Sequence, residues 1–325
     1  MQKASDVSVY LQLLLAMLFF GLSFVFTSFS LRFLPPVTLI VARLIISTIM
    51  LLVFSRLSVV TRIVGKLQRP ARGNVRLFVL VALFQPFLYF LAENTGMLYA
   101  SPAIASIVVG TIPVATPLFA WLLIREYIEV PTIIGAVLSF TGVLFLVLAD
   151  AEATGADPLG VVLVAGAVLA AVGYSITLRM LPAHYSALTV VTWQNMFGFL
   201  FFLPLFFGLD FARLAPSLAE VEGSVSGGGL PPALALAGAL LFLGIFPSSL
   251  SFIFLSRGIR TLGATRANVM TNLVPVFTAL FSALVLGERI TLATVAGMAI
   301  VVAGVLLSQI TRLRRSMGGA PIRNP

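Results

Sequence analysis

Stretches of about 20 apolar residues, each long enough to cross the hydrocarbon core of a bilayer as a helix, follow one another along almost the whole chain with short polar joints between them. In lipid every backbone N–H and C=O must be bonded within the fold, which leaves helices or a closed barrel as the spanning structures. Apolar runs of this length specify helices. Of 325 residues, 60% are hydrophobic and 10% charged, whereas a soluble domain carries about 25% charged residues. The chain as a whole is therefore expected to be membrane domain. No hydrophilic stretch is long enough for a soluble catalytic or nucleic-acid-binding module, so the net charge of +9 is read as membrane topology and not as a nucleic-acid footprint.

The spans are expected at about 11–31, 37–54, 77–99, 102–124, 132–148, 159–180, 188–207, 232–256, 265–286 and 292–310. Lys3 followed by an apolar run from Leu11 has the outline of a signal peptide, but the run is long enough to span and lacks a small-residue cleavage site. It is taken as the first membrane helix. Cytoplasmic loops are enriched in Lys and Arg, and with the N-terminus placed inside, the basic residues fall into place. The second joint holds Arg56, Arg62, Lys66, Arg69, Arg72 and Arg76; other inside joints hold Arg125, Arg179, Arg257, Arg260 and Arg266, and the tail holds Arg312, Arg314, Arg315 and Arg323. The outside joints keep Arg32, Arg213 and Arg289. A multi-pass protein of the cell (inner) membrane with both termini cytoplasmic is the expected outcome. The stretch from Arg56 to Arg76 interleaves apolar with basic residues, as an interfacial helix on anionic headgroups would; a solvated loop fits it equally well.

Sliding the sequence against itself by 162 positions pairs Pro113 with Pro275 and carries its neighbours along. Ala105 meets Ala267, Val114 meets Val276, Thr116 meets Thr278, Phe119 meets Phe281, Glu126 meets Glu288, Gly135 meets Gly297 and Gly142 meets Gly304. The same shift reaches back to Phe84 with Phe246, Phe90 with Phe252 and Gly96 with Gly258. Nearer the front of each half, Gly21-Leu22-Ser23 answers Gly173-Tyr174-Ser175 at a slightly different shift. Each half holds an odd number of spans, so the second enters the membrane from the opposite side. The expected fold is all-α and integral to the membrane, ten transmembrane helices as two inverted five-helix repeats, 1–150 and 151–312, followed by a basic cytoplasmic tail, 313–325. Inverted repeats create a pseudo-two-fold axis in the membrane plane, and rocking one half against the other exposes a central site to each face in turn.

Pro113-Val114 through Glu126 to Gly135 and Gly142, repeated as Pro275-Val276 through Glu288 to Gly297 and Gly304, together with the ten-span layout, resembles the EamA family of the drug/metabolite transporter superfamily. The resemblance covers nearly the whole chain. It implies a secondary transporter, and an exporter, of small metabolites such as amino acids. It does not fix the substrate, since relatives handle amino acids, nucleotide-linked sugars and drugs. It also implies packing or dimer contacts through the fifth and tenth helices, where the paired glycines lie seven apart and let backbones approach; a homodimer through them is an expectation of that kind.

An ionisable side chain inside a span costs from about 2.5 kcal/mol upward and so invites a partner or a hydrated cavity. Arg43 and Glu93 each lie about six residues from the outer end of consecutive antiparallel spans, roughly 9 Å deep at 1.5 Å per residue. Two readings stay open: a structural ion pair, or a substrate-binding Arg43 with a proton-coupling Glu93. Asn268 and Asn272 share one helical face, and the repeat pairs them with Ser106 and Gly110, so the two halves offer matching walls of a cavity or matching helix contacts. Pro247-Ser248-Ser249 predicts a kink lining the pathway, because proline frees a carbonyl that hydroxyls can satisfy. Gln85-Pro86 is its near counterpart, one position out of register. Tyr89, Tyr174, Trp193 and Gln194 are further candidates to frame an amphipathic substrate, as are Phe20 and Phe24.

The partners expected are thus a small-molecule substrate, a coupling proton and membrane lipid, with no nucleic acid. No cofactor or metal is expected: the chain has no cysteine, His184 is its single histidine, and no phosphate-binding loop occurs. Gly227-Gly228-Gly229 reads as a flexible joint. An enzyme would need convergent acids or a nucleophile with its base, which the sequence does not offer. A multidrug or organic-cation efflux carrier, a channel and a lipid flippase share the hydrophobic profile and remain the alternatives.

Overall fold

The computed structural model of the protein describes residues 2–124, 130–154, 157–223, 231–262, 270–287 and 291–317. These residues are helical with short connections, and no strand occurs among them. The helices are α1 (Gln2–Leu31), α2 (Pro36–Arg56), α3 (Arg72–Gly96), α4 in two pieces (Pro102–Val109 and Ile112–Ile124) and α5 (Val130–Thr154). The second set is α6 (Pro158–Met180), α7 (Ala187–Ala219), α8 (Pro232–Gly258), α9 (Leu273–Leu286) and α10 (Leu292–Met317). Among the described residues, six helices, namely α1, α2, α3, α6, α7 and α8, are long and apolar enough to cross a membrane. The other four predicted spans coincide with shorter apolar helices. Prolines open many of them: Pro36, Pro102, Pro158 and Pro232 each stand in the first helical turn, where a missing N–H costs nothing.

The side chains are distributed inside out relative to a water-soluble protein. Leu292, Leu284 and Val162 are 85%, 71% and 67% exposed, while Arg43 and Glu93 are 2% and 6% exposed. Apolar side chains facing outward are what a hydrocarbon solvent accepts, and the polar groups retreat to the bundle interior.

Packing follows the pseudo-two-fold axis. α5 lies against α10, and α2 against α7; α1 packs on α8 and α9, as its mate α6 packs on α3 and α4. Each front helix therefore docks chiefly on the other repeat, because a five-helix half leaves apolar faces that only its inverted copy can cover. The axis passes through the α5–α10 contact, where Ser139 Oγ donates to Val301 O (3.2 Å), a pair separated by the repeat shift of 162. Glycines make that contact close: a Cβ added at Gly304 would stand 2.6 Å from both Gly135 O and Ser139 N. The small-residue stripe that the family resemblance links to dimerisation is thus occupied by a contact inside one chain. Gly304→Leu is expected to lower the thermal midpoint in micelles sharply, since the obstructing atoms are backbone and overpacking costs about 1–3 kcal/mol or more. Gly238→Leu, with nothing within 4 Å, is the control and leaves the midpoint near wild type.

The joints are tied across the axis as well. Residues 56–76 are neither one interfacial helix nor a loose loop: a short helix, Ser58–Val64, is followed by a strap bolted to the start of α7. Ser186 Oγ donates to Lys66 O (2.8 Å), Trp193 Nε1 donates to Gln68 O (2.9 Å), and Gln68 N donates to Thr189 Oγ1 (2.9 Å). In the second half, Asp210 folds back onto the start of α2, accepting from Thr38 N (2.8 Å) and Thr38 Oγ1 (3.2 Å). A carboxylate on free N–H groups of a helix N-terminus is favourable. Asp210 is therefore a buried cap supplied from a distant helix.

Candidate functional site

Two proline breaks build the site. α3 carries a wide turn at Leu83–Leu88 with a cis Gln85–Pro86 bond and Gln85 in an extended conformation; α8 carries the matching turn at Phe246–Ser251. Backbone groups released by such turns need partners inside lipid. At the α8 break they are supplied by α2 and α7. Asn195 Nδ2 donates to Ser47 Oγ (2.7 Å) and to Ser248 O (3.2 Å), Ser47 and Ser249 share a hydrogen bond (2.7 Å), and Ser249 Oγ donates to Gly244 O (2.9 Å).

Arg43, one turn before Ser47 on α2, extends this network to the cavity. Its Nε donates to Ser248 Oγ (2.5 Å), and its guanidinium lies 4.1 Å from the centroid of the Phe90 ring, a cation–π contact worth about 2 kcal/mol when desolvated. Glu93 accepts from the Tyr89 hydroxyl (2.8 Å), its i−4 neighbour on α3. No direct ion pair links Arg43 and Glu93 among the described residues; each is held by its own neighbours, and both line the same cavity.

That cavity, about 330 Å³, has Arg43, Glu93, Tyr89 and Gln85 on one side and aromatic rings, Phe20, Phe24, Phe90, Phe252 and Tyr174, around them. Ser23 and Ser175, equivalent positions in the two front helices, both line it, as do Gly110, Thr116 and Ser256. It runs from mid-bundle toward the face formed by Leu181 and Ala183. Toward the other face the start of α6 packs tightly on the α3–α4 joint, where a Cβ on Gly160 would meet Ala100 N and the Tyr99 carbonyl carbon at 2.8 Å.

Of the residues singled out in the sequence, Arg43, Glu93, Tyr89, Tyr174, Phe20 and Phe24 come together on this wall. Ser248 does not reach it: the α8 break sits behind the wall and acts through Arg43, so the kink supports the pathway without lining it. Ser106 is buried with its hydroxyl on Ala103 O (2.8 Å). Asn272 is also off the wall, its side-chain amide buried without a partner among the described residues, while its neighbours Thr271 and Val274 line the cavity. Trp193, on α7, bonds to the strap, and Gln194 belongs to the packed interior. Asn268, Glu126 and Glu288 lie outside the described residues. Sequence reasoning missed Ser47, Asn195 and Phe90. The i, i+4 spacing of Arg43 and Ser47 was the available signal for the first; nothing local marked the others.

The two halves differ at one pair of equivalent glycines. Thr278 Oγ1 donates to Gly21 O (3.2 Å), and a Cβ on Gly21 would sit 2.6 Å from Phe277 Cβ, so α1 and α9 are in backbone contact. Thr278 Oγ1 also bonds Val274 O of its own helix (3.0 Å), as Thr116 Oγ1 bonds Ile112 O (2.8 Å), but Gly173, the mate of Gly21, abuts the Phe84 ring of α3. The cavity occupies the space between.

The model of the EamA-like transporter family matches residues 7–148 and 158–310. An "uncharacterized transporter" of Archaeoglobus fulgidus is 27% identical over 92% of this chain and 97% of its own length. The "uncharacterized transporter YetK" of Bacillus subtilis is 26% identical over 75% and 71%, and a "probable terminal-alkyne amino-acid exporter" of Streptantibioticus cattleyicolor 24% over 77% of both. A crystal structure at 19% identity covers 95% of this chain and 98% of its own with a TM-score of 0.63, which shows a shared fold.

Proposed function

Because this chain belongs to the EamA-like transporter family, we propose that it is a secondary carrier exporting small metabolites such as amino acids by alternating access. The observation that supports this reading is a mid-bundle cavity with Arg43 and Glu93 inside a ring of aromatic side chains, open at one end. Its chemistry suits a small molecule bearing a carboxylate for the guanidinium, an ammonium for Glu93 and an apolar body for the rings. The cavity volume is at the lower end of the usual range for small-ligand sites. The difference between the Gly21 and Gly173 contacts supports alternating access, since exchanging these local arrangements of the α1–α9 and α6–α4 pairs moves the opening to the other face. The excess of Arg and Lys in the joints on the Ala183 face supports a cytoplasmic position for it under the positive-inside rule, and on this reading the cavity opens toward the cell interior.

Proteoliposome uptake with labelled amino acids, sugars and organic cations, with and without a pH gradient, tests the reading. Saturable flux of a zwitterion, accelerated by unlabelled substrate on the far side, is expected. Linear flux defines a pore instead. An organic-cation carrier is the second reading, favoured by Glu93 among aromatic rings and opposed by the neighbouring positive charge of Arg43.

Glu93 is the group placed to carry a coupling proton, since its carboxyl reaches the cavity with the Tyr89 hydroxyl as its hydrogen-bond partner. Glu93→Gln keeps the shape and removes the titration. Uptake driven by a pH gradient is expected to fall to the rate seen without one, while exchange of substrate for substrate persists; an unaltered response to the gradient removes the proton role.

A further inference from the structure

The strap between α2 and α3 holds a group of cations that the transport reading does not use. Arg56, Arg62, Lys66, Arg69, Arg72 and Arg76 are all exposed, and no acidic residue occurs in the sequence between Asp6 and Glu93. Leu57, Val59 and Ile63, at 48%, 69% and 51% exposure, stand beside Arg56 and Arg62 where α2 leaves the bilayer. The main chain underneath is fixed. Besides its bonds to Ser186, Thr189 and Trp193, the strap is held by the Tyr185 hydroxyl, which accepts from Ala71 N (2.9 Å) and Asn74 Nδ2 (3.1 Å). Val64 and Leu67 turn inward onto the core. A rigid backbone thus presents basic and apolar side chains together at the edge of a span.

The equivalent joint of the second repeat isolates what is particular here. The helix Phe211–Gly223 also lays exposed apolar residues, Phe211 and Leu218, at an interface. Its charges are Arg213, Glu220 and Glu222, a net negative set. The fold therefore gives both joints an interfacial position, while the side chains make one of them cationic.

We propose that residues 56–76 form a binding site for anionic phospholipid headgroups. The basic side chains meet the phosphates and Leu57, Val59 and Ile63 enter the acyl boundary, a combination that a free phosphate ion cannot engage. Because the strap is bolted to the start of α7, the bound lipid holds the segment that supports Asn195 at the α8 break.

The test is lipid retention by the full-length protein in micelles, read by native mass spectrometry with phosphatidylglycerol and phosphatidylcholine offered in equal amounts. Wild type is expected to retain phosphatidylglycerol preferentially. With each surface cation contributing about a fivefold factor, the triple variant Arg62→Gln, Arg69→Gln, Arg72→Gln should lose retention by on the order of a hundredfold. The corresponding Lys variant keeps the charge and retains the lipid, which separates lost charge from lost folding. Raising ionic strength weakens wild-type retention. Val59→Ser with Ile63→Ser weakens it further without changing charge. Equal retention of the two lipids by wild type, an unaffected Gln variant, or displacement of the lipid by inorganic phosphate alone would each overturn the proposal. None of these outcomes bears on the carrier reading, which is tested by flux.

Discussion

With Gly21 and Thr278 both replaced by cysteine, oxidation is expected to reduce transport to background and a reductant to restore it. The native chain has no cysteine, so the introduced pair is the only one that can react. In this conformation α1 and α9 are in backbone contact, with Thr278 bonded to the Gly21 carbonyl; a Cβ on Gly21 would lie 3.1 Å from Thr278 N and 2.6 Å from Phe277 Cβ, so the pair can bridge once the two helices move slightly apart, and the reduced double variant, shown first to transport, is the reference. A disulfide there fixes the closed side of the bundle. A carrier that works by exchanging the states of its two halves cannot then complete a cycle. The mirror experiment uses Gly173→Cys with Thr116→Cys. Gly173 here abuts Phe84, so this pair should cross-link only during turnover, and more slowly when substrate is withheld. Cross-linked Gly21→Cys/Thr278→Cys protein that still transports at the uncross-linked rate would remove alternating access along this axis.

Replacing Arg43 should be nearly as damaging, for a different reason. The guanidinium meets three neighbours at once: Ser248 by a hydrogen bond, Phe90 through its ring face, and Glu93 by charge across the cavity. Arg43→Leu strands a buried carboxylate, and removing one member of a buried charge set costs about 3–5 kcal/mol. It also deletes the cation that lines the cavity among the described residues and is placed to receive a substrate carboxylate, so zwitterion flux should fall at least a hundredfold. Stability and transport separate in the double variant. Arg43→Leu with Glu93→Gln removes both charges, so its thermal midpoint should recover toward wild type while flux stays lost. Recovery of flux together with stability means that Arg43 serves the fold alone. Arg43→Lys keeps a charge but not the planar fork, and is expected to fold yet transport poorly.

The sequence carried the architecture a long way, and the reason lies in the solvent. Lipid demands internally bonded helices of fixed length, so apolar runs translate directly into spans, and the duplication of Pro113, Gly135 and Gly142 as Pro275, Gly297 and Gly304 translates into symmetry. The contact between Ser139 and Val301, separated by the repeat shift itself, is that duplication seen in three dimensions. Arg43, Glu93, Tyr89 and Tyr174 were legible for the same reason, since a polar group inside a span must face something other than hydrocarbon. Whether Ser106 and Asn272 face the cavity or a neighbouring helix was left open by the sequence, because helical periodicity tells which residues share a face but not which face meets the cavity. That depends on the partner helix, and here the partner of each front helix comes from the other repeat.

Composition and repetition by themselves determined that this chain is an all-helical membrane protein with two related halves, and family membership followed from the same residues. Only the tertiary structure decided that Arg43 is held by Ser248 and Phe90 without a direct bond to Glu93, that Asp210 caps α2, that the α8 break stands behind the wall, and that Gly21 meets α9 while its mate Gly173 meets the Phe84 ring. Those facts depend on contacts between positions more than a hundred residues apart, in which each helix has several chemically similar neighbours to choose from. The choice is made by close packing around glycines and by the need to satisfy every polar group away from water, and neither is written in any local stretch of sequence.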